Sequence, residues 1–199
     1  MSKVVDYYFS PSSPWTHLGH RRLGDIASST AANIVPMPVD FGRVFPVSGG
    51  LPLKQRSAQR QAYRLTELKR WRSHLNEPLT LEPRYFPVDA NPASLLLIAA
   101  LPLGSEMVMA LAGAVMRACW VEERNIADPD TLAAIADAQG LEGRAMLDVA
   151  RTAESAATYE AFTARAIAAR VFGAPTFVFR NELFWGQDRL EFLERALAA

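Results

Sequence analysis

Strand-forming runs confined to the two ends of the chain, a helix-patterned centre, and a strand–turn–helix opening together predict the fold class. The ends read βαβ and ββα, and from Gln55 to about Ala169 the pattern is almost wholly helical. This order predicts an α/β protein with a thioredoxin-like fold (βαβ…ββα) and a large all-helical domain inserted between its two halves. The expected division is residues 1–48 and 160–199 for the sheet-bearing domain and 49–159 for the helical insertion. The chain has 199 residues, half of them hydrophobic, which is enough for a sizeable core.

Each element has a local reason. "KVVDYYF", Lys3 to Phe9, is rich in β-formers and too short for a stable helix. After "SPSS", Ser13 stands at an N-cap and Pro14 at the first helical position, where a missing N–H costs nothing. Trp15, Leu18, Leu23 and Ile26 then recur at roughly helical spacing. "NIVPMPVDF", Asn33 to Phe41, reads as a second strand, and Pro36 and Pro38 place it at an edge or make it irregular. Strand, helix, strand implies a right-handed crossover between parallel strands. "VFPVSGGLPLKQ" reads as a Pro/Gly loop. In the helical block, Tyr63, Leu65, Leu68, Trp71 and Leu75 fall near one face, Ser105 with Glu106 opens a helix in cap style, and Asp128–Pro129 and Gly140 bracket another. "APTFVFR", an "NE" turn and "LFWG" form a closing hairpin, and "DRLEFLERALA" is an amphipathic helix with Asp188 as its N-cap.

Composition excludes several function classes. Lysine plus arginine equal aspartate plus glutamate at 21 each, so no global field recruits nucleic acid or an anionic membrane. Lys54, Arg56, Arg60, Arg64, Lys69, Arg70 and Arg72 do crowd one segment, with Glu67 the only acid among them. A solvated helix face explains them, and an anion site is the alternative. The single cysteine, Cys119, allows no internal disulfide or cysteine cluster and reads as a buried structural thiol. No signal-like apolar run opens the sequence, and "LLLIAALPL" is too short to span a bilayer, so a cytoplasmic protein is expected.

Three places carry candidate chemistry. At Ser13–Pro14–Trp15–Thr16 a redox thioredoxin would have C-x-x-C; S-x-x-T excludes dithiol chemistry. A serine at a helix N-terminus either caps the helix or donates a hydrogen bond that keeps another molecule's thiol ionised. At Gly173–Ala174–Pro175–Thr176 the proline is a candidate cis residue, and the backbone of Ala174 is free to pair with an extended peptide-like ligand. At Trp185–Gly186–Gln187–Asp188–Arg189 the helix start reads either as a plain cap or as a seat for an α-amino-acid head. His17 and His20 have one possible metal spacing but lack partners and read as packing or surface residues; His17, one turn beyond Ser13, is also a candidate general base.

Together these places resemble the 2-hydroxychromene-2-carboxylate isomerases and kappa-class glutathione transferases, within the DsbA-like thioredoxin superfamily. "DYYFSPSSPWTHLG" is similar to that family's opening, "RQAYRLTELKRWR" to its middle, and "FGAPTFVFRNELFWGQDRLEFLE" to its C-terminal signature. The similarity runs along nearly the whole chain. It implies glutathione as cofactor, with Ser13 catalytic and holding its sulfur as thiolate. Ala174 and Pro175 would meet its cysteinyl backbone, and Gly186, Gln187, Asp188 and Arg189 its γ-glutamyl end. Lys54, Arg60 and His17 would serve an aromatic carboxylate substrate. The implied reaction converts 2-hydroxychromene-2-carboxylate, or a similar intermediate of aromatic degradation, to trans-o-hydroxybenzylidenepyruvate through a glutathione thiolate adduct. The family also implies a homodimer. The alternatives are a kappa-like transferase that conjugates electrophiles, and a non-catalytic thioredoxin-like binding protein. Ser10 replaces the family's aspartate, Pro11 stiffens the approach to Ser13, and His17, Gln187 and Glu67 replace an aromatic residue, an asparagine and an aspartate. These departures bear on which substrate is accepted.

Overall fold

A computed structural model describes residues 3–199. Strand β1 (Lys3–Phe9) leads through the serine/proline turn into helix α1 (Pro14–Thr30), which returns to β2 (Ala32–Pro38). The helical block follows: α2 (Phe41–Ser48), α3 (Ala58–Leu75), α4 (Asn91–Ala99), α5 (Ser105–Trp120), α6 (Pro129–Ala138), α7 (Gly143–Ala150) and α8 (Ala153–Ala168). The chain closes with β3 (Thr176–Phe179), β4 (Glu182–Trp185) and α9 (Leu190–Ala198). The four strands form one sheet in the order β2-β1-β3-β4. β1 pairs with β2 in parallel, while β3 is antiparallel to both β1 and β4. This is the expected thioredoxin-like order, βαβ and ββα halves in one sheet with helices inserted between them.

The period of two in β1 divides the interior. Val5, Tyr7 and Phe9 point to one face, where they join Leu23 and Ile26 of α1, Leu190 and Leu193 of α9, and the helical block through Leu96, Val115 and Trp120. Tyr8 points to the other face, against Met37, Phe41 and Val44 of the β2–α2 segment and Ala166 of α8. β2 is an edge strand, as its prolines require, and Pro36 and Pro38 lie opposite Tyr7 and Phe9. The Asp128–Pro129 start is a true cap, with the Asp128 carboxylate accepting from Thr131 N–H at 2.9 Å.

Four local expectations need correction. The second strand ends at Pro38, not Phe41, because Asp40 caps a new helix by accepting from Gly42 N–H at 2.8 Å. "VFPVS" therefore belongs to α2 rather than to a loop; Phe41 and Val44 bury one face of it, and Pro46 falls near its end. Ser105 is the first residue of α5 and caps nothing, because Gly104 precedes it with φ 98° and no side-chain bond. On α3 only Leu68 is fully buried and Tyr63 is 60 % exposed, so the apolar stripe is narrower than its spacing implied.

Candidate functional site

The turn before α1 delivers one serine to the helix start. Ser13 N–H donates to Ser10 C=O at 3.0 Å, and Pro11 fills the second position of the turn, where its fixed φ suits. The Ser10 and Ser12 hydroxyls share a hydrogen bond of 3.1 Å, which leaves Ser13 as the one that reaches the helix. Ser13 has φ −84° and ψ 125°, and its Oγ accepts from Thr16 N–H at 3.3 Å. Its own O–H donates to no acceptor among the described residues. The cap and a spare donor coexist in one side chain: the oxygen serves α1 and the proton remains free for a ligand. Thr16 occupies the position of the second redox cysteine and is fully buried, its hydroxyl unpartnered.

The sheet brings the other two places to the same end. Tyr8 lies opposite Thr176, so the end of β1 meets the start of β3, and Thr176 lies opposite Trp185, which adds the end of β4. The Ala174–Pro175 peptide is cis. Neither the N–H nor the C=O of Ala174 has a hydrogen-bond partner among the described residues, which leaves a short unpaired edge for an extended ligand. The Gly186 N–H donates to Pro175 C=O at 2.9 Å, tying the second place to the third. Gly173 packs under Trp185, where an added Cβ would fall 2.3 Å from the indole nitrogen.

The third place differs from its sequence reading in two respects. Asp188 is not the N-cap of α9. Gly186, at φ 107°, turns the chain straight into a 3₁₀ turn over Gln187–Arg189, so helical winding starts before Asp188 and its carboxylate pairs with Arg189 at 3.3 Å. Gln187 is 1 % exposed and its side chain faces α1, where Arg22 donates to both its Oε1 (3.1 Å) and its backbone C=O (3.3 Å). Both of its carbonyl oxygens, side-chain and backbone, are thus engaged by Arg22 rather than offered to a ligand. Gly19 permits this approach, because a Cβ there would meet Gln187 Cβ at 2.8 Å. Arg22 and Gly19 thus fix the loop to the helix that carries Ser13. Neither stood out in the sequence, since a lone arginine and a lone glycine on a helix carry no motif.

The remaining candidates lie apart in character. Lys54, in a short 3₁₀ turn at Leu53–Gln55, and Arg60, on α3, are both exposed and form no ion pair among the described residues. His17 is buried, and its Nε2 lies 2.9 Å from Pro78 C=O. Burial pushes its pKa down, and its packing against the loop after α3 gives it a structural task. His20 is held between Tyr7 Oη (3.2 Å at Nδ1) and Met109 C=O (2.9 Å at Nε2), with its pKa pushed down to about 4 by burial. These partners assign a neutral ring that accepts at Nδ1 and donates at Nε2. Cys119 is buried and its thiol is pushed up to about 12, so it is no nucleophile at neutral pH. No group of three or more metal-binding side chains occurs among the described residues, and no described helix is long and apolar enough to cross a membrane.

Comparison with known proteins adds to this geometry. A family model for the DSBA-like thioredoxin domain matches residues 4–198. A 2-hydroxychromene-2-carboxylate isomerase from Sphingobium xenophagum is 28 % identical over 198 residues, covering 99 % of each chain. One from Pseudomonas putida is 28 % identical over 197 residues, covering 98 % of this chain and 94 % of the other. A solved structure of a 2-hydroxychromene-2-carboxylate isomerase superposes with TM-score 0.86 at 26 % identity, covering 98 % of this chain and 94 % of that one. A cytosolic disulfide reductase from Pseudomonas aeruginosa shares the fold, with TM-score 0.67 at 18 % identity, covering 98 % of each chain.

Proposed function

The chain belongs to the DSBA-like thioredoxin domain family, and we propose that within it this protein is a glutathione-dependent isomerase acting on 2-hydroxychromene-2-carboxylate or a closely similar aromatic-degradation acid. One observation carries the reading. The helix start at which this fold places its reactive sulfur holds Ser13 and Thr16, and the chain's only sulfhydryl, Cys119, is buried in α5. A sulfur nucleophile acting here must therefore be brought in. The curated relatives that span nearly the full chain carry the isomerase name and support the substrate class.

The residues present suit glutathione. When bound, it supplies a thiolate nucleophile and leaves the reaction unchanged. The free O–H of Ser13 donates to that sulfur, and the N-terminal end of α1 adds positive potential, so the ionised form is favoured. Ala174 offers its unpaired N–H and C=O to the cysteinyl backbone. Gly186 and Asp188, joined to Pro175 and held against α1 through Gln187, receive the γ-glutamyl end. Arg60 and Lys54, both exposed and without an ion pair among the described residues, add positive charge that attracts an acidic substrate.

The test is turnover of purified protein with 2-hydroxychromene-2-carboxylate, followed by absorbance, with glutathione present and absent and free thiol counted throughout. Isomerisation that requires glutathione and leaves the thiol count constant supports the proposal. Loss of thiol in step with product makes the chain a transferase. No conversion in either condition refutes catalysis on this substrate.

A further inference from the structure

The basic run between Lys54 and Arg72 divides sharply in the structure. Arg70 pairs with Glu67 at 2.6 Å, and Arg72 donates to Leu79 C=O at 3.0 Å. Arg64 finds no such acceptor. Its guanidinium is drawn inward over two aromatic rings, 5.1 Å from the Phe86 centroid and 5.9 Å from that of Trp120. Its Nη2 is buried without a hydrogen-bond partner, and so is the indole Nε1 of Trp120, a fully buried residue. Two strong donors on touching side chains thus lack an acceptor.

The surroundings increase the need for one. Burial lowers the Arg64 pKa to about 10, and repulsion from Arg56 adds to this; Arg56 is itself lowered, first by burial and then by Arg60. Glu82 offsets the charge only in part, and none of Arg56, Arg60 and Arg64 forms an ion pair among the described residues. Leaving a buried donor unmade costs about 1–3 kcal/mol, more when it is charged. A surface cation would simply turn to water. The Nη2 edge of Arg64, turned in against an aromatic pair, cannot, and the acceptor that meets it and an indole N–H together is a planar anion with several lone pairs.

We propose that Arg64, with the Trp120 N–H beside it, seats the carboxylate of the planar aromatic acid on which this protein acts, with Arg56 and Arg60 adding to the attracting field. The identification of that acid as the substrate rests on the function proposed above; the carboxylate seat itself does not. It assigns the anchoring task to a partly buried cation rather than to the exposed Lys54 and Arg60.

Calorimetric titration of the whole chain, glutathione present, with chromone-2-carboxylate and with its neutral carboxamide tests the seat. Wild-type protein is expected to prefer the carboxylate by at least about tenfold, and Arg64→Gln to bring that preference close to one. Arg64→Lys, which keeps the charge but loses the fork, is expected to keep only part of it and serves alone if Arg64→Gln does not fold. Thiolate absorbance of bound glutathione should stay the same in both variants. Equal binding of the two ligands by wild-type protein, as when a single water fills the site, overturns the proposal. So does a preference that survives undiminished in whichever variant folds. Carboxylate preference that tracks Arg64 in a chain without isomerase activity would sustain the seat while the proposed reaction fails.

Discussion

Removing the Ser13 hydroxyl should raise the pKa of bound glutathione, and two variants separate that effect from stability. Ser13 makes one cap bond, Oγ from Thr16 N–H at 3.3 Å. Ser13→Ala loses that bond at a cost of about 1 kcal/mol, whereas Ser13→Gly, tolerated at an N-cap, loses only a few tenths. Both lose the donor to the sulfur. A hydrogen bond to a charged acceptor contributes about 1.5–3 kcal/mol, which at about 1.4 kcal/mol per unit corresponds to roughly 1–2 pKa units. From an ordinary thiol near 8.5, the wild-type complex should titrate about one to two units lower, and both variants should return toward about 8.5. The assay is ultraviolet absorbance of the thiolate against pH, with kcat measured alongside at saturating glutathione. At neutral pH both variants should lose about tenfold or more in thiolate and rate, and above about pH 9 the gap should close. Unchanged thiolate titration in Ser13→Gly, or a rate loss equal at every pH, would refute the reasoning.

Other expectations follow from the contacts around the loop after β4 and from the core. Arg22→Gln removes both bonds to Gln187; the KM for glutathione should rise several-fold with kcat little changed, whereas a purely structural loss would lower the melting temperature without shifting KM. Gly186→Ala places a side chain at φ 107° with its Cβ 2.4 Å from Asp188 Oδ1; calorimetric glutathione affinity should fall by about tenfold and thermal stability by roughly 1–3 kcal/mol. The folded pKa of His20, about 4, lies below the ordinary 6.5, so the unfolded state binds the extra proton first. Stability measured by denaturant titration should accordingly be full above about pH 6.5 and decline as pH falls toward about 4; His20→Gln, less stable overall, should show a shallower decline.

Much of the sheet and part of the site are legible in the sequence, for local reasons. β1 declares itself by alternation, α1 by Ser13–Pro14, and the β2 edge by Pro36 and Pro38, because caps and missing N–H groups act within a few residues. What the sequence hides is set by contacts between distant segments. Asp188 matches an N-cap pattern, but Gly186 starts the winding first. Gln187 sits in a motif that suggests a ligand contact, yet its side chain answers to Arg22, which lies 165 positions away. "VFPVS" is punctuated like a loop, and burial of Phe41 and Val44 against the back of the sheet makes it a helix. Arg64 is one cation among many in the sequence; only the approach of Phe86 and Trp120 sets it apart.

A crystal structure of the protein with glutathione bound tests the central claim most directly, because that claim is the position of one sulfur atom. The account predicts the sulfur within hydrogen-bonding distance of Ser13 Oγ, the cysteinyl backbone paired with Ala174, and the γ-glutamyl group against Gly186 and Asp188. A sulfur bound far from Ser13, with Ala174 still unpaired, would contradict it.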